Sequence, residues 1–112
     1  MSGDEFYDVA LEDEGDDVVI RVCGEIDRHA RDTLWAAIEE AIGTRRRLVF
    51  DLSATTFIDG CGLGVLRRAC RETGATRGTV VVRGPSPAVR RLLTIVGLDE
   101  VVSVVVLREP VP

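Results

Sequence analysis

The chain contains no lysine, no asparagine and no glutamine. Arginine therefore carries all of the positive charge. A phosphate-binding Walker loop is excluded, because its lysine cannot be supplied. No apolar run approaches the ~20 residues that a membrane-spanning helix requires. The chain opens on Met1-Ser2-Gly3-Asp4-Glu5, which is not a basic-then-apolar leader, so a cytoplasmic location is expected. Cys23, Cys61 and Cys70 form an odd set without a CxxC pair. Reduced thiols are expected, not a disulfide framework. His29 is the only histidine, and neither a metal site nor a cofactor is expected.

What is present describes one folded unit. At 112 residues, with 46 % hydrophobic and 29 % charged residues, the chain can bury a core without disulfides or metal. A single domain over residues 1–112 is expected, with 1–5 and 108–112 loosely ordered. The net charge is −5. Asp4, Glu5, Asp8, Glu12, Asp13, Glu14, Asp16 and Asp17 all precede the first base, Arg21. That balance argues against nucleic acid or an anionic membrane as a direct partner. Arginines recur at Arg45 to Arg47, Arg67, Arg68, Arg71, Arg90 and Arg91. They read as solvated helix faces or as a patch for a protein partner.

Periodicity divides the chain into alternating elements. Residues 6–11 alternate weakly and residues 18–23 are β-branched, with an acidic, glycine-containing turn at 12–17, so a hairpin ending at Gly24 is expected. Asp27 is a candidate N-cap. Leu34, Ala37, Ile38, Ala41 and Ile42 form one apolar helical face, which Gly43 would terminate. Residues 48–52 read as a central strand. A second helix would start near Gly60 and bury Leu63, Leu66 and Cys70, with Arg67, Arg68 and Arg71 outward. Residues 79–83 read as a strand. Ser86-Pro87 is a strong helix start, Val89, Leu92, Leu93 and Val96 would be buried, and Gly97 would stop that helix. Residues 101–106 would be the last strand. The order β-β-α-β-α-β-α-β implies an α/β domain with some parallel pairing.

The chemistry is concentrated at Asp59-Gly60-Cys61-Gly62, directly after a strand. Cys61 would lie in the first turn of a helix, where the helix dipole favours a thiolate and Asp59 opposes it. It reads as a small residue in a tight turn or as a redox-sensitive thiol. A nucleophile needs a base, and nothing in the sequence brings His29 to Cys61. Gly60-Cys61-Gly62-Leu63-Gly64 lacks the third glycine of a dinucleotide loop, since Val65 stands there. The glycines let the chain turn sharply and let a partner approach the backbone. Asp51 and Asp59 read as a strand-end cap and a helix cap. Trp35 reads as a core-edge residue or a partner anchor.

Taken together, these motifs resemble the STAS domain, the fold of bacterial anti-sigma factor antagonists, along nearly the whole chain. Val19-Ile20-Arg21-Val22-Cys23-Gly24-Glu25-Ile26-Asp27 resembles the family's second strand and its exit. Leu48-Val49-Phe50-Asp51-Leu52-Ser53 resembles the central strand. Phe57-Ile58-Asp59 and Gly62-Leu63-Gly64-Val65-Leu66 flank the position of the family's phosphorylated serine. Residues 90–99, ending Val-Gly-Leu-Asp, resemble the last helix and its exit. The resemblance implies a single STAS-like α/β domain with a mixed sheet, and a binding protein, not an enzyme. Its partner would be an anti-sigma factor of the histidine-kinase-like ATPase type. The implied docking residues are Asp27, Asp59, Gly60, Cys61, Gly62, Leu63 and Gly64, in a monomer or weak homodimer. Gly60 stands where the family carries its serine, so no phospho-acceptor is expected there. Ser53, Thr55 and Thr56 do not match the acceptor's position. A stressosome-like scaffold, an accessory subunit of a transporter ATPase and a Cys61 redox sensor are the alternatives.

Overall fold

The structure, a computed structural model, describes residues 6–74 and 79–105. Strands β1 (Tyr7–Glu14) and β2 (Asp17–Ile26) form a hairpin, followed by helix α1 (Arg31–Gly43). Then come β3 (Arg47–Asp51), β4 (Thr55–Ile58), α2 (Gly60–Glu72), β5 (Val80–Arg83), α3 (Pro87–Ile95), a 3-10 turn (Leu98–Glu100) and β6 (Ser103–Val105). The expected tails at 1–5 and 108–112, and Val106 at the end of the expected last strand, lie outside the described residues. Among the described residues no helix is long and apolar enough to cross a membrane.

The sheet runs β1-β2-β3-β5-β6, with β1 antiparallel to β2 and the other neighbours parallel. One register row joins Leu11, Ile20, Phe50, Val82 and Val104 across all five strands. Ile20 and Phe50 are fully buried, in one cluster with Leu34 and Ile38 of α1, Leu63 and Leu66 of α2, and Val89 and Leu93 of α3. Each such side chain contributes about 1.5–3 kcal/mol when fully buried, so this row and the helices over it hold the domain. The near-continuous apolar runs of β2 and β3 follow from burial on both faces. On the other face Val19, Val49 and Val81 form a second buried cluster.

β4 corrects the expected order, which becomes β-β-α-β-β-α-β-α-β. β2 is ten residues long. Its first half pairs with β3, and its last residues, beyond a register shift at Gly24/Glu25, pair with β4. Ser53-Ala54-Thr55-Thr56 looks like a polar turn, yet Thr55 is buried and its hydroxyl donates to the Val22 carbonyl at 2.7 Å. The turn into β4 is made by Asp51, whose carboxylate accepts from Ser53 N–H (3.0 Å) and Ser53 Oγ (2.6 Å). Gly24 sits at φ +86, where a Cβ would lie 1.9 Å from the Phe6 carbonyl oxygen. Only glycine fits there.

Two expected caps are also corrected. Asp27 does not cap α1, which starts at Arg31 after Ala30 with no side-chain cap. Its carboxylate instead accepts from His29 N–H at 2.8 Å and closes a tight turn ahead of the helix. α1 does end at Gly43, but not through a left-handed glycine cap. Thr44 satisfies the Ala41 carbonyl through its hydroxyl at 2.6 Å, and Arg45 takes the positive φ of 58. Ser86 and Gly97 act as expected: Ser86 Oγ accepts from Val89 N–H, and Gly97 is left-handed at φ 78.

A band of ion pairs covers the helix-free face. Arg83 bridges Glu14 and Asp51 at 3.1 Å each, Arg21 meets Glu12 at 3.0 Å, and Arg47 meets Asp17 at 2.8 Å. Burial pulls the Asp51 carboxyl up, but Ser53 and Arg83 outweigh it and leave its pKa lowered. The Arg47 guanidinium lowers that of Asp17, and the His29 amide that of Asp27. Lowered carboxylates stabilise the fold above their unfolded pKa, and that stability is lost as pH falls through the folded values. The urea midpoint is therefore expected to be level from pH 7 to about 5 and to fall below about 4. Asp51→Asn should flatten part of that acid limb. A midpoint unchanged down to pH 3 would contradict the assignment.

Candidate functional site

The site grows from the paired ends of β2 and β4. Ile26 lies beside Ile58 in register, and Asp59 N–H donates to the Ile26 carbonyl at 3.1 Å. Asp27 and Asp59, which follow these two residues, are thereby brought to one end of the sheet. Asp59 is extended (φ −103, ψ −172) and caps α2, accepting from Gly62 N–H at 3.1 Å. The helix start was thus legible in the sequence, while Asp27 serves a turn.

Gly60, Cys61 and Gly64 are exposed, whereas Gly62 and Leu63 are buried. A Cβ on Gly62 would meet Ile58 Cγ1 at 2.7 Å and Ile26 Cγ2 at 2.9 Å. Gly62 therefore lets α2 rest directly on the two strand ends. Leu63 joins the core beneath. These two residues shape the surface from below; Gly60, Cys61 and Gly64 form it. A Cβ at Gly60 or Gly64 meets nothing within 4 Å, so neither position is glycine for want of room.

Beside the turn, α1 and α2 bound an open groove of about 280 Å³. Its floor includes Gly60, Cys61 and Gly64, and its walls carry Trp35 and the arginines Arg31, Arg68 and Arg71. The Arg68 guanidinium lies 3.9 Å from the centre of the Trp35 ring, a cation–π stack. Trp35 is half-buried against the core cluster, so it is a core-edge residue with one edge on the groove. Phe6, Tyr7, Glu25, Asp27 and His29 line a second depression. Phe57, opposite Glu25 in register, is about half exposed. In the sequence Phe57 figures only as part of the family motif; its exposure on a strand was not read there, because β4 itself was not recognised.

The three thiols differ sharply in access. Cys61 is exposed, Cys23 half-buried and Cys70 buried, and burial pushes the Cys70 thiol pKa up. His29 Nδ1 faces Asp27 at 3.3 Å. No hydrogen bond joins His29 to Cys61 among the described residues. Iodoacetamide is expected to modify Cys61 first and Cys70 last in the native protein, read by peptide mapping. Modification of Cys70 ahead of Cys61 would contradict the packing of α2. Among the described residues no group of three or more His, Cys, Asp or Glu could hold a metal ion.

The STAS domain family model matches residues 8–109. The chain belongs to the STAS domain family. Its relatives are consistent. An anti-sigma F factor antagonist of Lysinibacillus sphaericus is 36 % identical over 83 residues, covering 72 % of this chain and 71 % of the relative. The crystal structure of an anti-sigma factor antagonist from Mycobacterium paratuberculosis superposes with a TM-score of 0.81 at 30 % identity, covering 94 % of this chain and 90 % of that one. The anti-sigma factor antagonist SpoIIAA in its unphosphorylated form gives 0.73 at 30 % identity, with 87 % of each chain covered. This STAS domain is thus a single α/β unit similar to anti-sigma factor antagonists.

Proposed function

We propose that this STAS domain is an anti-sigma factor antagonist that lacks the phosphorylation switch at its docking turn. It binds an anti-sigma factor of the histidine-kinase-like ATPase type and so regulates sigma-factor-dependent transcription in the cytoplasm. It acts by binding, not catalysis, as a monomer or weak homodimer. The docking surface is the turn at Asp59-Gly60-Cys61, together with Asp27 and the exposed first turn of α2.

One observation supports the reading: the turn that the resemblance makes the docking site is well formed, and its residue 60 has no hydroxyl. The Asp59 cap, the Ile26 tie and the close seat of Gly62 are all present, yet residue 60 is glycine with open space at its Cβ. Packing does not demand a glycine there. SpoIIAA has been solved in phosphorylated as well as unphosphorylated form, so that relative can carry the group. A phosphate adds about −1.5 to −2 charges and needs desolvation in an interface. Without an acceptor at residue 60, the surface keeps one charge state.

Affinity purification of the tagged chain from its own cells, with partners identified by mass spectrometry, tests the proposal. A captured protein with a histidine-kinase-like ATPase domain is the expected result. Recovery of a transporter ATPase instead, with no such regulator, would overturn it.

A further inference from the structure

We infer that the groove between α1 and α2 receives an acidic segment of the partner protein, with carboxylates on Arg31, Arg68 and Arg71 and an apolar side chain against Trp35. The inference rests on the reading of the chain as a partner-binding module and names the chemistry of one contact.

Two populations of arginine carry it. On the sheet face Arg21, Arg46, Arg47 and Arg83 each have a carboxylate within 3.1 Å. Their charge is satisfied inside the molecule. The groove arginines differ. Arg31 lies 3.6 Å from Asp32 and Arg68 lies 3.7 Å from Glu72, both partners being exposed. The Arg71 side chain has no ion pair or hydrogen bond among the described residues. In a chain of net charge −5, three weakly paired guanidiniums against the one carboxylate that also lines the groove, Asp32, leave a local positive site. A planar guanidinium favours carboxylate through paired donors. Stacking on Trp35 holds Arg68 in place before binding, which lowers the entropy lost when it is engaged.

The floor supports the same occupant. Gly64 leaves nothing within 4 Å of a Cβ, so a side chain or an extended backbone can lie close to α2 at that point. The depression of about 280 Å³ suits a side chain or two, not a folded module. Charge at the rim and an aromatic edge within fit a segment that alternates acidic and apolar residues.

Trp35 is the only tryptophan, so its fluorescence reports on the groove. The probe is a synthetic peptide of alternating Glu and Leu, compared with the Gln/Leu peptide, a single-stranded oligodeoxynucleotide and phosphatidylglycerol vesicles. The Glu/Leu peptide is expected to shift Trp35 emission saturably, with affinity falling as salt rises. The Gln/Leu peptide should bind about tenfold more weakly, and Arg71→Gln should lower affinity for the Glu/Leu peptide by a comparable factor. Arg71→Gln breaks no ion pair or side-chain hydrogen bond among the described residues, so its circular dichroism should match the parent. Equal response to both peptides, no response to the Glu/Leu peptide, no effect of Arg71→Gln, or preference for oligonucleotide or vesicles would each overturn the inference. Capture of an anti-sigma factor is read separately. If capture persists unchanged in Arg71→Gln, the groove contact fails and the antagonist reading stands. If the peptide binds as expected but no such factor is captured, the antagonist reading fails and the groove stands.

Discussion

Gly62→Val is expected to destabilise the fold by about 2–3 kcal/mol and to lower the melting temperature by about 10–15 °C. The branched side chain would begin 2.7 Å from Ile58 Cγ1 and 2.9 Å from Ile26 Cγ2. Both isoleucines are buried at the ends of paired strands, so neither can swing aside without shifting β2 or β4. The gain of about 0.4 kcal/mol in helix propensity over glycine does not offset that overlap. Gly64→Ala is the control on the same helix. Its Cβ meets nothing within 4 Å, so it should stabilise by up to about 1 kcal/mol. Thermal unfolding followed by circular dichroism measures both. Equal melting temperatures for Gly62→Val and the parent would mean that α2 does not rest on the strand ends as described.

Gly60→Asp is expected to weaken binding to the anti-sigma factor about 100-fold, a loss of ~3 kcal/mol, with little change in stability. The new carboxylate would stand beside Asp59 at the end of the sheet that also carries Asp27. Like charges crowded into one interface repel, and each must also lose water on docking. Open space at residue 60 means that the fold accepts the side chain, so the loss reads on the interface. Gly60→Ser should bind as the parent does until it is phosphorylated, and should then resemble Gly60→Asp. Titration calorimetry against the captured partner separates the states. Undiminished binding by Gly60→Asp would place the interface away from this turn.

Much of this was legible because strong signals were local. The β-branched run of β2, the apolar run of β3, the Ser86-Pro87 start and the Asp59 cap each combine a propensity with a chemical reason, and the structure contains all of them. β4 was hidden because its stability is tertiary. Four residues with two threonines form a strand only because the far half of β2 is free to pair, and because the Thr55 hydroxyl finds the Val22 carbonyl. Asp27 was misassigned as a cap for a related reason: an aspartate satisfies a turn as readily as a helix start. The groove was half visible. The sequence places Arg67, Arg68 and Arg71 on an outward face, but not which of them find partners. Arg67 donates to the Val96 carbonyl, while the Arg71 side chain has no polar partner among the described residues. That distinction is tertiary, because it depends on where the end of α3 brings the Val96 carbonyl.

The decisive measurement is the intact mass of the native chain after incubation with ATP and the anti-sigma factor it captures. Gly60 offers no side-chain oxygen, Ser53 is bonded to the Asp51 carboxylate, Thr55 is buried on the Val22 carbonyl, and the exposed Thr56 does not match the acceptor's position. The expected result is an unmodified mass together with a complex that survives the incubation. A stoichiometric phosphate mapped to residues 53–61, with release of the partner, would show that the module is switched after all.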